Sequence, residues 1–384
     1  MSWQEDEPST EGTFVVSTYP EIVALLHDPR VSSDLRNAEF TVAMAPPPNS
    51  FIQLDAPEHD RLRRLAMHHF GPPDRPEYLD QLVLDIQRAT QALVDDLEGE
   101  RRLDLVARVS YPLPVTIICV TLGVPRDDQP KFHVWADTIV RTAGQLTPEP
   151  RAEANAATAA MREYITGIVE LRRRTPSDDL LSRMANDDGP EGRMSDPDLL
   201  ATMSTLLVAG YETTTNLIAN GMLALLRHPD ARARLRREPN LIVGTVEEAL
   251  RYDPPVQLLA SRTTLADVSV GDVTIPKGVL IPLALAAGNR DPARFRDPDR
   301  FAPDREDNAH LGFGSGIHYC FGAPLARLEA RIALTELVQR LDGPRLVLDP
   351  PPYRESPVLR GPRELLVEVD GVRSAGERGM VAAC

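Results

Sequence analysis

A glycine-rich turn that carries one cysteine and leads directly into a helix is the most restrictive feature of this chain. The turn and the start of the helix read FGSGIHYCFGAPLAR, residues 313–327. Gly314 and Gly316 allow the backbone to curl tightly and to approach a broad, flat group. Pro324 is tolerated in a first helical turn, and apolar residues recur after it at helical spacing. Cys320 is therefore predicted to stand just before a helix N-terminus.

The position of Cys320 favours an anionic sulfur. Unpaired backbone N–H groups and the positive end of the helix dipole stabilise a thiolate, which is either a nucleophile or a soft metal ligand. A nucleophile needs a base, and His318 is the only local candidate. No second cysteine lies nearby, which argues against zinc and iron–sulfur sites and leaves heme as the metal centre held by one thiolate.

The segment resembles the heme-binding loop of cytochromes P450, FGxGxHxCxGxxLAR, at every defined position. The resemblance implies that family's fold, mainly α with a smaller β region, with heme between an oxygen-binding helix and the helix after the cysteine. It implies heme b as cofactor, O2 as co-substrate and Cys320 as the iron ligand. The residues that it places around the cofactor are His59, Arg63, Ala209, Gly210, Arg262, Phe313, Gly314, His318, Cys320 and Gly322.

A second matching segment, AGYETT, lies at residues 209–214 in an apolar helical run. Gly210 weakens the helix and Thr213 can bond the carbonyl of Ala209, so that a local groove opens. Alone, this pattern fits an ordinary buried helix. The resemblance implies that Glu212 and Thr213 are the acid and the alcohol that deliver protons for oxygen activation. We expect a relay through water, with Thr213 as the last donor.

Glu248 and Arg251, in VEEALRYDPPV, lie on one helix face and can pair. In isolation such a pair would be a surface salt bridge of little energetic value. The resemblance implies a buried, structural pair that is joined by Arg300 of a PxRF segment at residues 298–301. All three residues would brace the side of the protein that presents Cys320.

Four cations in the sequence have no obvious partner. His59 and Arg63 would lie one helical turn apart, Arg262 leads into a β-rich stretch, and His318 lies two residues before the cysteine. Each alone fits a solvated surface cation. A heme brings two propionates, and buried carboxylates need charged donors. The resemblance implies that these four residues bind the propionates.

Hydrophobic periodicity predicts a helix-rich protein. Helices are expected at 75–98, 112–122, 155–174, 196–226, 241–252 and 324–341, and β-rich stretches at 262–285 and 357–369. The 384 residues contain no low-complexity linker, so we expect one domain over 1–384, with a short tail at about 1–13 and a flexible tail at about 371–384.

Charge and segment composition limit the partners. Lys and Arg number 42 against 57 for Asp and Glu, a net charge of -15, which disfavours nucleic acid. The chain shows neither a signal peptide nor a membrane-spanning run, and its three cysteines do not form a disulfide framework. We therefore expect a cytoplasmic protein that is a monomer and binds no membrane.

Electrons must come from another protein, because no flavin or nicotinamide motif is present. The resemblance to soluble bacterial P450s implies a ferredoxin and its reductase, with NAD(P)H as the electron source. Such partners are usually acidic, so we expect a basic patch on the cysteine side. Its candidate residues are Arg61, Arg64, Arg327 and Arg331.

The predicted substrate pocket is mostly apolar, which suits a medium-sized lipophilic molecule. Its candidate walls are Leu206, Val208, Ala209, Thr213, Val256, Leu258, Leu259 and Val358. The resemblance to bacterial secondary-metabolism P450s implies a polyketide, macrolide, terpenoid or cyclic peptide, which is hydroxylated, cyclised or coupled. A short proline-rich loop over 40–54 is expected to border the substrate entrance.

Two other functions fit the sequence less well. One is a heme-binding partner or sensor that does not turn over, but the cysteine and the acid–alcohol pair are both present. The other is a peroxide-driven heme-thiolate enzyme, in which the alcohol is often replaced. The intact Thr213 argues against that alternative.

Overall fold

Helices account for most of the residues that the structure describes. The computed structural model describes residues 2–4, 13–39, 50–70, 76–142, 148–189, 192–260 and 262–375. The α-helices found in these ranges are α1 Tyr19–His27, α2 Glu58–Phe70, α3 Pro76–Asp95, α4 Pro112–Thr121, α5 Gln129–Thr142, α6 Pro148–Arg174, α7 Leu180–Ala185, α8 Asp196–Arg227, α9 Pro229–Arg237, α10 Ile242–Tyr252, α11 Leu285–Gly288 and α12 Ala323–Arg340.

The strands of the described ranges are short and pair only in antiparallel fashion. They are β1 Ser2–Gln4, β2 Thr13–Val15, β3 Val31–Ser32, β4 Arg102–Asp104, β5 Thr263–Thr264, β6 Val268–Val270, β7 Val273–Ile275, β8 Leu341–Asp342, β9 Arg345–Leu346, β10 Leu366–Glu368 and β11 Gly371–Val372. β10 lies between β4 and β9, and the other sheets are the pairs β1–β2, β3–β5, β6–β7 and β8–β11. The fold is thus mainly α with a smaller β region, as the sequence predicts.

The central helix is α8. It begins after Ser195, whose hydroxyl accepts a hydrogen bond from the backbone N–H of Asp198, and a proline occupies its first turn. From Thr214 to Leu225 every residue is buried. A helix that is buried all round belongs in the middle of the core, so this second half of α8 is packed against its neighbours on every side.

Gly221 sets how closely α8 approaches α12. A Cβ added at Gly221 would lie 2.9 Å from Cδ1 of Leu334 on α12 and 3.7 Å from Cβ of Ala249 on α10. The missing side chain therefore lets the helices pack backbone against side chain at this crossing. α8 carries the AGYETT segment and α12 follows Cys320, so the crossing holds the two predicted halves of the site together.

Most sequence predictions of helices are confirmed to within a few residues, and the segment predicted over 155–174 begins earlier, at Pro148. Helices α1, α5, α7, α9 and α11 were missed. Within the predicted tails, Ser2–Gln4 pairs with β2 and Gly371–Val372 pairs with β8. Of the proline-rich loop over 40–54, only 50–54 falls in the described residues; 376–384 lie outside them.

A second, smaller core joins the N-terminal part of the chain to the β region. Val16 and Ile22 pack there with Ile275, Ile281 and Leu283, and all five side chains are buried. Among the helices of the described ranges, none combines the length and the apolar composition needed to cross a lipid bilayer.

Candidate active site

A cavity of about 290 Å³ separates α8 from the cysteine loop, a name we use for residues 313–322. Most predicted site residues line it. They are Arg63, Leu206, Ala209, Gly210, Thr213, Val256, Leu259, Arg262, Phe313, Gly314, His318, Cys320 and Gly322. Residues that are far apart in the sequence therefore meet around one space.

Two glycines and a backbone hydrogen bond across the loop help to hold the cysteine loop in shape. Gly314 and Gly316 have φ angles of 69° and 72°, and a Cβ at Gly316 would lie 2.4 Å from the backbone oxygen of Leu26. The N–H of Cys320 donates to the carbonyl of Phe313 at 2.9 Å, and α12 begins three residues later, at Ala323. The sulfur is therefore fixed at the cavity wall just before a helix N-terminus.

Burial raises the pKa of the Cys320 thiol. The backbone N–H of Gly322 and the charges of Arg63 and Arg327 act in the opposite direction but do not outweigh burial. The backbone N–H groups at the start of α12 thus act in the direction that the sequence predicts, and burial opposes them. A bound metal cation deprotonates a coordinating thiol directly, so this sulfur is suited to be a metal ligand rather than a free nucleophile.

The four predicted cations form one cluster at the edge of the cavity. The rings of His59 and His318 lie 4.3 Å apart, and Arg63 donates to the carbonyl of Tyr319 at 2.7 Å. Burial, with the positive charges of Arg262, His59 and Arg63, lowers the pKa of His318 to about 3. Burial also lowers the pKa of Arg262 to about 10.

Two polar atoms in this cluster have no protein partner. Nε2 of His59 and Nε2 of His318 are both buried, and neither forms a hydrogen bond with the described residues. Buried polar atoms in native proteins are normally hydrogen-bonded, and buried cations need anions. The cluster is therefore built to receive an anionic group that carries several acceptor oxygens.

Glu212 and Thr213 occupy different faces of α8. Thr213 lines the cavity, and its Oγ1 donates to the carbonyl of Ala209 at 2.7 Å. Glu212 is buried and does not line the cavity. Burial raises the pKa of Glu212 to about 7, against the positive charge of Arg354 and with the negative charge of Asp137. An acid with this pKa exchanges protons readily near neutral pH.

The predicted brace exists, but one of its three members is wrong. Glu248 and Arg251 are fully buried, and Nε of Arg251 lies 2.8 Å from Oε2 of Glu248. The third partner is Arg305, whose Nε lies 3.2 Å from the same oxygen. The side chain of Arg300 is exposed. Its backbone carbonyl points inward instead and accepts a hydrogen bond from Arg251 at 3.1 Å.

The predicted basic patch is partly neutralised. Glu247 accepts hydrogen bonds from Arg327 at 2.8 Å and lies 3.7 Å from Arg331. Burial raises the pKa of Glu247, but hydrogen bonds from His310 and Arg327 outweigh it and lower that pKa to about 2. Arg61 lies 3.6 Å from Asp198. These arginines therefore add less positive charge to the surface than their number suggests.

Several predicted pocket residues do not line the cavity, namely Val208, Leu258 and Val358. Val208 is rotated away on α8, and the N–H of Leu258 faces the carbonyl of Val358 at 3.4 Å, because these segments pair with each other. Sequence reasoning missed Phe51, Phe70, Ile118, Phe321 and Glu329, which do line it. Of these five residues, Phe321 alone carried a sequence signal, because it is adjacent to Cys320.

Comparison with known proteins decides the family. The family model for cytochrome P450 matches residues 7–368. This chain belongs to the cytochrome P450 family. Over 380 residues, this P450 is 39% identical to the cytochrome P450 monooxygenase PikC of Streptomyces venezuelae, with 97% of this chain and 88% of PikC covered. It is 34% identical to 6-deoxyerythronolide B hydroxylase of Saccharopolyspora erythraea, with 94% and 91% covered.

The fold of this P450 matches solved structures of the same family. It superposes on the Bacillus subtilis bacillaene polyketide synthase cytochrome P450 PksS with a TM-score of 0.88 and 31% identity, covering 96% of this chain and 93% of that one. The protein is thus a P450 monooxygenase, which uses heme iron and O2. The buried, unpaired Nε2 atoms of His59 and His318, together with Cys320 on the cavity wall, fit a heme with its carboxylate groups.

Proposed function

We propose that this P450 inserts one oxygen atom into a medium-sized lipophilic secondary metabolite of the polyketide or macrolide class. The observation that carries the proposal is the lining of the cavity. Phe51, Ile118, Leu206, Val256 and Leu259 form apolar walls. An apolar cavity with few polar groups suits a lipophilic ligand. Relatives named for a polyketide synthase and for a 6-deoxyerythronolide B hydroxylase support this class.

We propose that heme b is the cofactor and that five residues of this chain bind it. Sγ of Cys320 would ligate the iron. His59, Arg63, Arg262 and His318 would hold the two propionates, because two guanidinium groups and two imidazole rings with buried, unpaired Nε2 atoms lie in one cluster. When bound, the heme iron supplies the activation of O2. The chain itself binds and orients the substrate, excludes water and delivers protons.

The proposed reaction consumes two protons. One oxygen atom of O2 enters the substrate and the other leaves as water, with two electrons and two protons. Thr213 is the last donor in this proposal, because its hydroxyl lines the cavity. Glu212, buried behind it with a pKa of about 7, would return protons to Thr213 through water.

The electrons would come from a ferredoxin and its reductase, acting on a monomeric P450 in the cytoplasm. The exposed surface of the cysteine loop supports a docking role, since Ile317 is 56% and Tyr319 39% exposed there. Arg61, Arg64, Arg327 and Arg331 would add the positive charge that attracts an acidic partner. Because Glu247 already binds two of these arginines, we expect the apolar contacts to contribute more than the charge.

Ligand titration and turnover test the substrate class. The heme-loaded ferric protein would be titrated with 6-deoxyerythronolide B and, as a matched apolar ligand of another class, testosterone. We expect only the macrolide precursor to shift the Soret band and to gain one oxygen atom when ferredoxin, its reductase, NADPH and O2 are added. Oxidation of testosterone alone would contradict the proposed class.

A spectrum and two turnover conditions test the ligation of the iron by Cys320 and the two alternative functions. A carbon monoxide spectrum of the reduced protein with the far-red Soret band of a thiolate-ligated heme is expected, and Cys320→Ser should lose it. Product formed with hydrogen peroxide but not with ferredoxin would favour a peroxide-driven enzyme. Binding without product under either condition would favour a heme-binding protein that does not turn over.

A further inference from the structure

Glu329 is a buried acid in the wall of the cavity that no step of the proposed reaction uses. It lies on α12 with an exposed fraction of 3%, and it lines the same cavity as Cys320. Leu325 and Ala326 line the cavity before it, at the spacing that puts residues on one face of a helix. One face of α12 therefore forms a wall that leads from the cysteine loop to Glu329.

The carboxyl group of Glu329 lies towards the end of the cavity where α8 and α12 converge. α12 begins at Ala323, so a rise of about 1.5 Å per residue puts Glu329 roughly 9 Å along the helix from its start beside Cys320. Leu217 on α8 lines the cavity as well, four residues before Gly221 at the helix crossing. Glu329 is thus close enough to respond to a change of charge at the cysteine loop.

The carboxyl group of Glu329 has no counter-ion among the described residues. Its Oε2 atom is buried and forms no hydrogen bond with them. Burial raises the pKa of Glu329 to about 8, because an ionised carboxylate is poorly solvated in an apolar wall. Glu329 is therefore neutral at neutral pH and ionises in the weakly alkaline range.

Four titratable groups share the cavity wall with Glu329, namely Arg63, Arg262, His318 and Cys320. None of them shifts the pKa of Glu329, for which burial is the cause. The first three belong to the cluster that would bind the propionates. In the proposed enzyme, the charge that changes in this cavity on reduction is that of the iron held by Cys320.

The charged groups on the elements packed against α12 do not shift the pKa of Glu329 either. Those on α3, α9 and α10 are held in ion pairs, and the buried acid of α8 does not line the cavity. They are Asp95 and Glu98 with Arg340, Arg236 with Asp342, Glu247 with Arg327, Glu248 with Arg251, and Glu212. Among the described residues, Glu329 is therefore an acid governed by its burial alone.

Reduction of the iron adds one negative charge at the other end of this wall. Added negative charge disfavours the ionised form of an acid nearby and so raises the pKa of that acid. The interaction is stronger across a protein interior than across water, because the interior screens charge less. Glu329 should therefore bind its proton more tightly after reduction than before it.

We propose that Glu329 couples the first reduction of the enzyme to proton uptake: the ferric iron held by Cys320 gains one electron from the ferredoxin and becomes ferrous, while the Glu329 carboxylate binds one proton from the solvent. The proton is released again when the iron loses the electron, so it is separate from the two protons that oxygenation consumes. The proposal rests on the proposed heme and its ligand Cys320. Its consequence is that the enzyme accepts the electron more readily where Glu329 is neutral than where it is ionised.

The test measures the midpoint potential of the ferric and ferrous states in the heme-loaded, substrate-free protein. Optical titration with soluble mediators would cover the range from about pH 6 to about pH 10, which brackets the ionisation of Glu329. As the pH rises through this ionisation, the equilibrium should shift towards the ferric state by up to tenfold per pH unit, or about 59 mV for one electron. At lower pH, where Glu329 is already neutral, the potential should not vary.

Two variants of Glu329 assign the effect. Glu329→Gln keeps the shape of the side chain without a titrating group, and it should hold the low-pH potential of the unmodified protein across the whole range. Glu329→Asp keeps a carboxyl group, so its potential should still depend on pH. Glu212→Gln is the matched control, because Glu212 is also a buried acid with a raised pKa but does not line the cavity. Its potential should follow that of the unmodified protein.

Two results would overturn the coupling. One is a potential of the unmodified protein that does not vary with pH, and the other is a pH dependence that survives in Glu329→Gln and so belongs to the propionates or to Glu212. If Glu329→Gln binds no heme, an infrared difference spectrum of the unmodified protein decides. Reduction above the pKa of about 8 should add the band of a protonated carboxyl group, and a spectrum without that band would reject the coupling.

Failure of the coupling and failure of the proposed function give different results. Mediators replace the ferredoxin and no substrate is present, so a wrong partner or a wrong substrate class would leave the pH dependence intact. A reduced carbon monoxide spectrum without the thiolate band would reject Cys320 as the ligand, and the proposed function and the coupling with it. A normal spectrum and normal product formation with a pH-independent potential would keep the function and reject the role of Glu329.

Discussion

Glu248 and Arg251 form an ion pair from which water is fully excluded, with two parallel hydrogen bonds of 2.8 Å between the guanidinium and the carboxylate. The same carboxylate accepts from the N–H of Ala302 at 2.8 Å, and Arg251 donates to the carbonyl of Pro298 at 2.8 Å. The pair therefore ties α10 to the irregular segment that precedes the cysteine loop. Its function is to order backbone, since neither residue lines the cavity.

Removing Glu248 should severely destabilise the fold. Glu248→Ala leaves the buried guanidinium of Arg251 without its counter-ion, and breaking a buried pair in this way costs about 3–5 kcal/mol. Urea unfolding followed by circular dichroism gives the change in the free energy of unfolding. Asp28→Ala is the control, because it breaks a pair whose Arg30 side chain is 51% exposed, and it should cost less than about 1 kcal/mol. Similar losses in the two variants would contradict the assignment.

Arg305 should matter more than Arg300. Arg305→Ala removes a guanidinium that contacts Glu248 and also donates to the carbonyl of Arg296 at 2.7 Å, so we expect a loss of about 1.5–3 kcal/mol. Arg300→Ala removes an exposed side chain and keeps the carbonyl that Arg251 uses, and its effect should stay within about 0.5 kcal/mol. Thermal and urea unfolding of both variants would decide. The reverse order would restore Arg300 as the third member of the brace.

Glu212 should make the enzyme less stable as the pH rises. Its folded pKa of about 7 lies above the ordinary value of 4.5, so between these two values the folded state binds more protons than the unfolded state. Stability is then lost as the pH rises through this interval. Relative to Glu212→Gln, which does not titrate, the unmodified protein should lose about 3 kcal/mol from pH 4.5 to above pH 7. Parallel stability curves for the two proteins would refute the raised pKa.

Two helical glycines should respond to alanine in opposite directions. At Gly244 on α10 a Cβ would lie 2.0 Å from the backbone oxygen of Pro303, so Gly244→Ala forces a backbone shift that costs more than about 1 kcal/mol. Gly167 on α6 is exposed and has nothing within 4 Å, so Gly167→Ala should stabilise by about 0.5–1 kcal/mol. Melting temperatures of both variants give the two signs. A stabilised Gly244→Ala would show that α10 and the Pro303 segment are not in contact.

The cysteine loop was predictable because its chemistry is local. The left-handed glycines and the proline that opens α12 are read directly from consecutive residues, and Cys320 is the one thiol in that run. The hydrogen bond from Thr213 to the carbonyl of Ala209 was predictable from the AGYETT segment for the same reason. In any helix a threonine can reach the carbonyl four residues earlier.

What the sequence left open depends on segments that meet only in three dimensions. The choice between Arg300 and Arg305 turns on which way an irregular loop directs its side chains, and no periodicity encodes that. The four-residue spacing of Glu212, Asn216 and Asn220 is visible in the sequence. Its burial is not, because Arg360 and Gly361, which contact Asn220 and Asn216, follow more than a hundred residues later.

Gly221 controls the spacing of α8 and α12 at their crossing. A Cβ added at Gly221 on α8 would lie 2.9 Å from Cδ1 of Leu334 on α12, while Thr213 lies earlier on α8 and Cys320 just precedes α12. Because the two helices meet at this crossing, a change in their separation there also changes the distance between Thr213 and the cysteine loop. We therefore expect Gly221→Ala to enlarge the cavity between α8 and the cysteine loop, although Gly221 does not line that cavity.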